Sequence, residues 1–403
     1  MIHLFINAVS ASAGGGLTYI RNVVPRLALR DDVRATVLVG DVLRAEIVDS
    51  DRIMVQTDQA GGTIGSRFWY EQSVVPRLIR KSGANVLLCP GNFALFRSPV
   101  PQILLSRNAL YTSTDFARDV RERGDYRLWM DTKIKGAVAR WSVQRAERTV
   151  APTEAFAEEL RRWTGKEIKC IRHGFDPELF FGNSEPLPAD MKKKLLPTDG
   201  AIKILFVSHY NYYRNFETLI RAIAIVNKKL YPRTVRLILT CKLISQENPG
   251  NYQAESAARL VRSLKLNDDI VQLGSVPYAL LHHLYKNCDV YATPAYAETF
   301  AHPLVEAMAS GLPVIASDLP VHSEICGDAA LYFPRFSAEV LADRILQLSS
   351  CQTTRMAMRG AGLERSQNFR WSKHVDALVQ LADQLAKGKA KSESSRSPGV
   401  PVL

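Results

Sequence analysis

The sequence predicts an α/β protein of two Rossmann-like, doubly wound domains facing each other across a cleft. Two observations predict it. Short apolar runs alternate with longer amphipathic stretches from residue 2 to residue 171, and the same alternation begins again at residue 202. Between the two arrays, residues 181–200 (FGNSEPLPADMKKKLLPTDG) hold three prolines, two glycines and a lysine run, the composition of an interdomain segment. Ligands of such sheets bind at the carboxyl ends of the strands, so the loops there are where functional side chains are expected.

In the first array, residues 2–8 read as a buried strand that runs into Gly14-Gly15-Gly16 and then a helix with Leu17, Ile20, Val23 and Val24 on one face. Ala11-Ser12-Ala13 has the small-residue spacing of a leader-cleavage site. No Lys or Arg precedes the short apolar stretch, however, which favours a strand over a leader. Glycines after such a strand let backbone amides approach a phosphate or sugar. The acidic residue that a dinucleotide-binding unit places about 20 residues further on is missing, Gly40-Asp41 being a poor substitute, which disfavours a nicotinamide-dependent dehydrogenase. Further strands are expected at 35–39, 86–89, 101–105, 148–151 and 168–171, with long helices at 68–81 and 126–148. The second array reads as strands at 202–207, 235–241, 270–273, 290–293 and 313–316, with helices at 216–229 and 255–264.

Composition narrows the class. The chain has 403 residues, 46% of them hydrophobic, and a net charge of +12, which excludes a disordered or fibrous protein. No apolar run approaches the roughly 18 residues of a membrane span. Six scattered cysteines without a CxxC pair point away from a disulfide scaffold and towards a reducing, cytoplasmic compartment. The eight histidines show no metal-ligand spacing, and His282-His283 lie on helix faces too different to chelate together. The positive charge is uneven: residues 67–148 carry net +8 and residues 387–403 net +3. Arg67-Phe68-Trp69-Tyr70 and Arg127-Leu128-Trp129 interleave basic and aromatic side chains, as surfaces that meet anionic lipid do. Nucleic acid would attract the same charge, but no DNA- or RNA-binding motif accompanies it, so no nucleic acid is expected.

The most informative stretch is 291–318, YATPAYAETFAHPLVEAMASGLPVIASD. A strand ends near Thr293, a loop carries Glu298, and Pro303 suits the first turn of a helix that Gly311 terminates. The N-terminus of that helix is a ready anion site, and Glu306, one turn inside, is placed to accept hydrogen bonds from a ribose diol. The plainer alternative leaves Glu306 as a charge favouring the helix dipole and Glu298 as a solvated side chain.

The E-x7-E spacing of Glu298 and Glu306 within ETFAHPLVEAMASGLPVIASD resembles the signature of retaining GT-B glycosyltransferases of the GT4 type. The Gly14-Gly15-Gly16 loop, HGFDPELF, SHYNYYRNFETLIRAI, LGSVPYALLHHLYKNCDVYATP, DLPVHSEICGDAALYF and FRWSKH follow in the family's order, almost continuously through the second half and only at the edges of the first. The resemblance implies a GT-B fold: an acceptor domain at 1–180, a linker at 181–200, and a nucleotide-sugar donor domain at 201–368. A closing helix at 369–386 would pack back on the first domain, leaving a disordered basic tail at 387–403. It implies sugar transfer from a nucleotide-diphosphate sugar with retention of configuration and neither metal nor resident cofactor. Glu306 would hold the ribose hydroxyls and Glu298 the transferred sugar. The Thr299 and Phe300 amides would meet the donor and Arg214 its diphosphate; Glu298 and Arg214 are thus the expected catalytic pair. Gly15 and Gly16 would approach the diphosphate and Val276 the base.

Departures from the family pattern qualify this. His209 stands where the family's first basic phosphate ligand is an arginine, and a neutral imidazole binds phosphate more weakly. Arg107-Asn108 replaces a His-Asp pair; the two are expected on the acceptor side, with a surface ion pair the alternative for Arg107. E-T-F-A replaces E-G-F-G, leaving less room for backbone approach. The expected activity is hexose transfer, GDP-mannose being the first donor and UDP-sugars next, onto a lipid-linked oligosaccharide or polysaccharide acceptor at the inner face of the plasma membrane. The other reading is a catalytically impaired donor-binding subunit of a glycosyltransferase complex.

Overall fold

A computed structural model describes residues 1–11, 14–57, 64–195, 200–232, 234–250 and 252–394. Ser12 and Ala13 of the leader-like triplet lie outside them. The chain divides into two compact units: residues 1–112, 133–174 and those from Arg370 onward form one, and residues 113–132 with 175–369 the other. Both are doubly wound α/β units with parallel sheets.

The first unit has seven strands: β1 (Ile2–Ala8), β2 (Val33–Val39), β3 (Ile53–Thr57), β4 (Val86–Cys89), β5 (Gln102–Leu105), β6 (Arg148–Ala151) and β7 (Ile168–Cys170). They pair in parallel in the order β3-β2-β1-β4-β5-β6-β7. Every residue of β1 is buried, the polar His3 and Asn7 among them, as a strand covered on both faces requires. The order reverses between β1 and β4, and the loops that follow them are therefore the unit's ligand-facing end. The last helix, Trp371–Ser394, adds Trp371, Val375, Leu378, Val379 and Ala382 to the cluster that β1 anchors. Gly174 lies so close beneath its start that an added Cβ would sit 2.1 Å from the Trp371 nitrogen.

The second unit has six strands: β8 (Ile202–Phe206), β9 (Val235–Leu239), β10 (Ile270–Gln272), β11 (Val290–Thr293), β12 (Val314–Ser317) and β13 (Ala330–Phe333). Their order is β10-β9-β8-β11-β12-β13, with the reversal between β8 and β11. The loops after these two strands, 207–215 and 294–301, are thus adjacent by topology.

Several expectations are corrected. Gly14, Gly15 and Gly16 form the first turn of helix Gly14–Ala28 rather than a turn ahead of it. The single helix expected at 68–81 is two, Ile64–Ser73 and Val75–Ser82, because Pro76 has no N–H to continue the ladder. Helix Thr114–Glu122 was not foreseen, and it groups with the second unit. The chain changes units after Gly174, ahead of the 181–200 segment, within which Ala189–Leu195 is helical and 196–199 lie outside the described residues. The final helix continues to Ser394, where alanines and lysines favour it, so the expected disordered tail is helical from 387 to 394; 395–403 lie outside the described residues.

Candidate active site

The two loops at the second sheet's reversal point meet. Tyr296 N–H donates to the Tyr213 carbonyl at 2.9 Å, and the Asn215 side-chain amide donates to the carbonyls of Pro294 (3.2 Å) and Arg335 (2.7 Å). Asn215 takes a left-handed backbone (φ 55°), a conformation Asn tolerates, which turns the chain into helix Phe216–Leu230. Ala301 does the same (φ 61°) ahead of helix His302–Ala309, whose N-terminus has no side-chain cap and carries Pro303 in its first turn. Its leading amides and dipole therefore face the crevice.

Arg214, from the first loop, forms an ion pair with Glu298, from the second; their side chains are 21% and 9% exposed. Among the described residues, the Arg214 Nε atom is buried without a hydrogen-bond partner. A guanidinium that keeps a donor in reserve beside the positive end of a helix dipole suits an anionic group with several oxygens. His209 lies in the same loop, and partial burial, then the Arg214 charge, lowers its pKa. Thr299 is half-buried and Phe300 is buried against Phe369, ring centroids 5.7 Å apart. Val276 lies partly exposed in the loop after β10, on the same carboxyl edge of the sheet.

Glu306 is buried, and the Tyr285 hydroxyl donates to its Oε2 at 2.9 Å. Burial raises its pKa from 4.5 to about 7, against the smaller opposing pull of the Tyr285 hydrogen bond. The carboxyl is thus poised between its neutral and charged forms near pH 7.

In the first unit, Arg107 sits against the glycines. Its guanidinium donates to the Gly15 carbonyl (2.7 Å) and the Pro90 carbonyl (3.0 Å) and lies over the Tyr19 ring at 5.3 Å. Burial lowers its pKa to about 10, the nearby Tyr19 acting in the opposite sense. A Cβ on Gly16 would meet the Ala11 Cα at 3.3 Å, so this turn is packed as well as bare. Asn108 uses its side-chain oxygen to cap the turn Ala109–Tyr111, accepting from Leu110 N–H at 3.0 Å. Arg107 is therefore no surface salt-bridge residue, and Asn108 is engaged locally.

Tyr210 and Tyr212, in the loop ahead of helix Phe216–Leu230, are fully buried. His282 is buried, and the His283 ring lies 2.8 Å from the Glu185 carbonyl. Among the described residues no group of three His, Cys, Asp or Glu could hold a metal ion. Tyr285, Asn215 and Tyr296 escaped the sequence reading. Only Asn215 had a local signal, an Asn directly before an apolar-periodic helix.

Residues 189–365 match the family described as Glycosyl transferases group 1. This segment resembles the group 1 glycosyltransferases. A D-inositol 3-phosphate glycosyltransferase from Corynebacterium aurimucosum is 26% identical over 53% of this chain and 50% of that protein. The chain thus spans about half the length of the curated relatives it matches. The O-antigen chain mannosyltransferase RfbU of Salmonella typhimurium is 36% identical over 27% of this chain and 29% of that one. The structure of Anabaena Alr3699/HepE in complex with UDP-glucose superposes with a TM-score of 0.71 at 17% identity, covering 96% of this chain and 100% of that one. The fold is GT-B, its two sheets both parallel and Rossmann-like. Arg214, Glu298 and Glu306 all lie within the matched segment.

The buried Glu306 carboxyl has a measurable signature. Because the folded pKa of Glu306 lies above the unfolded one, the native state binds more protons between pH 4.5 and 7, and stability falls as pH rises through that window. Above it the loss amounts to roughly 3 kcal/mol. Glu306→Gln, which keeps an acceptor for Tyr285, is expected to match the parent protein near pH 4.5 and to exceed it by up to that amount at pH 8. Urea unfolding at both pH values checks this; an equal stability difference at the two would contradict it.

Proposed function

We propose that the chain is a retaining, metal-independent glycosyltransferase that moves a hexose, mannose first, from a nucleotide-diphosphate sugar to a lipid-linked oligosaccharide or polysaccharide acceptor. The observation that carries this reading is the half-buried Arg214–Glu298 pair beside the uncapped helix at His302. The departing diphosphate develops negative charge, which a guanidinium and fixed amides stabilise with little reorganisation. In this reading Arg214 meets the diphosphate, the Thr299 and Phe300 amides and His209 assist, and Glu298 accepts hydrogen bonds from the transferred sugar. Glu306 holds the ribose diol, and Val276 borders the base. Gly15, Gly16 and Arg107 form the first unit's substrate-facing end. Mannose is supported by the partial likeness to RfbU, whereas the UDP-glucose held by the HepE structure keeps UDP-sugars next in line.

A second reading, a donor-binding subunit with impaired catalysis, is favoured by His209 in place of a permanent cation and by the engagement of Arg107 with backbone carbonyls. Nucleotide release from a panel of GDP- and UDP-sugars, with and without lipid-linked acceptors, separates the two. Turnover supports the enzyme, tight donor binding without turnover the subunit, and no binding of any nucleotide sugar defeats both. Glu306→Ala is expected to weaken donor binding about tenfold or more; unchanged affinity would remove the ribose role.

The acceptor's lipid nature is supported by the surface. Helix Tyr126–Arg145 exposes Tyr126 (66%), Met130 (52%) and Ile134 (60%) at four-residue spacing, a single apolar stripe with Arg127, Lys133 and Lys135 on the same helix. Helix Ile64–Ser73 exposes Phe68 and Trp69 beside Arg67. Among the described residues, no helix is long and apolar enough to cross a membrane. Co-sedimentation with vesicles containing anionic lipid is expected to weaken in Met130→Glu/Ile134→Glu and at raised salt. Binding that survives both would argue against membrane docking by this face.

A further inference from the structure

Helix Thr114–Glu122, with Arg123 as its C-cap, touches both loops that carry the Arg214–Glu298 pair. On the 207–215 side, the Arg123 guanidinium lies 4.4 Å from the Tyr212 ring centroid and pairs with Glu217 at 3.0 Å. The same Glu217 oxygen accepts the Tyr210 hydroxyl at 3.0 Å and the Ser256 hydroxyl at 3.2 Å. The Phe116 and Tyr213 rings meet edge to face, 6.2 Å apart. On the 294–301 side, the Tyr296 hydroxyl donates to Asp119 Oδ2 at 2.5 Å, and Asp119 Oδ1 accepts from Arg123 Nε at 2.9 Å.

The result is one continuous chain, Tyr296–Asp119–Arg123–Glu217–Tyr210, that spans the crevice loops from behind. Tyr210, Glu217 and Tyr296 are buried, while the Asp119 and Arg123 side chains are 20% and 22% exposed, so the chain runs from the interior to the cavity wall. The loops are also linked directly, by the Tyr296 N–H bond to Tyr213, the Asn215 amide bond to Pro294 and the Arg214–Glu298 pair itself. A second strut runs beside the chain: Arg335 bonds Asp115 (3.2 Å) and Asp318 (2.8 Å) while its carbonyl accepts from Asn215. A cavity of about 930 Å³, lined by Arg118, Arg221 and Arg259 among others, separates much of the helix from Phe216–Leu230 and Glu255–Ser263. Polar links rather than a filled apolar seam therefore account for much of its attachment.

We propose that Arg123 and Asp119 are positioning residues of the transfer reaction. They hold the loop of Arg214 and the loop of Glu298 in register, so that guanidinium and carboxylate present one geometry to the donor. The inference rests on the donor reading above. It differs from that reading in assigning the alignment of the pair to a helix whose sequence lies about 90 residues upstream.

The test measures kcat and donor KM for Arg123→Ala, Arg123→Lys, Tyr296→Phe and the Arg123→Ala/Tyr296→Phe double variant, each with its melting temperature. Misplacing a catalytic group by an ångström costs about 100-fold in rate, so Arg123→Ala is expected to lose between about 10- and 100-fold in kcat. Its donor KM is expected to move by less than about threefold. Tyr296→Phe, which removes a single hydroxyl and leaves the packing intact, is expected to lose several-fold in kcat. The double variant is expected to be no worse than Arg123→Ala, because both act through one chain. Arg123→Lys restores part of the loss, since an ammonium can meet one carboxylate but not both. Wild-type kcat in a folded Arg123→Ala or in Tyr296→Phe overturns the inference. So does a double variant that loses the product of the two single effects. If Arg123→Ala does not fold, Tyr296→Phe decides alone. Absence of turnover in the unsubstituted protein is a separate outcome, which defeats the donor reading and the inference with it.

Discussion

The ion pair between Arg214 and Glu298 is the constraint around which the second unit is arranged. Each partner comes from a different loop, and each loop exists only because the parallel sheet reverses its order between β8 and β11. Withdrawing two charges from water costs several kcal/mol per ion, which mutual pairing offsets only when the geometry is held. The surroundings supply that hold: left-handed turns at Asn215 and Ala301, the Asn215 amide bridging two backbone segments, and buried tyrosines behind the loops. On the donor reading the pair is also a switch of partners. A diphosphate takes over the guanidinium, and the released carboxylate turns to the sugar hydroxyls. Neither charge is left unpaired at any stage.

The same economy of charge explains Glu306. A carboxyl buried beside Tyr285 is only half ionised near pH 7, so the empty site carries little uncompensated charge. Hydroxyl donors from a ligand would favour its ionised form. The group is therefore tuned to a neutral, hydroxyl-rich partner rather than to a cation.

Much of this was legible in the sequence, and what was not has physical reasons. β1, β4, β6 and β11 fall at 2–8, 86–89, 148–151 and 290–293, where the sequence places them, because buried and mostly apolar residues mark each. β3, with only Ile53 fully buried, and β13, four residues with Leu331 and Tyr332 half-buried, lack the continuous buried run of β1, β4 and β11. Arg214, Glu298 and Glu306 could be found because one loop and one helix turn fix their spacing. The contacts that define their behaviour could not. Tyr285 reaches Glu306 across 21 residues, Arg107 reaches Gly15 across 92, and Tyr296 reaches Asp119 across 177. Helix Thr114–Glu122 shows only Phe116 and Val120 as buried apolar side chains, too few for periodicity to announce it, because it docks largely through charges. Polar docking leaves no hydrophobic pattern to read.

The central claim is that Arg214 and Glu298 divide the donor between them, one taking the diphosphate and the other the sugar. Calorimetric titration of GDP and UDP, which lack the sugar, into Arg214→Ala and Glu298→Ala tests it most directly. The account predicts opposite effects. Arg214→Ala loses about tenfold or more in nucleotide affinity as a charge-assisted contact disappears, while Glu298→Ala binds at least as tightly as the unsubstituted protein because its guanidinium no longer has an internal partner. Equal losses in the two variants, or no loss in Arg214→Ala, would contradict it.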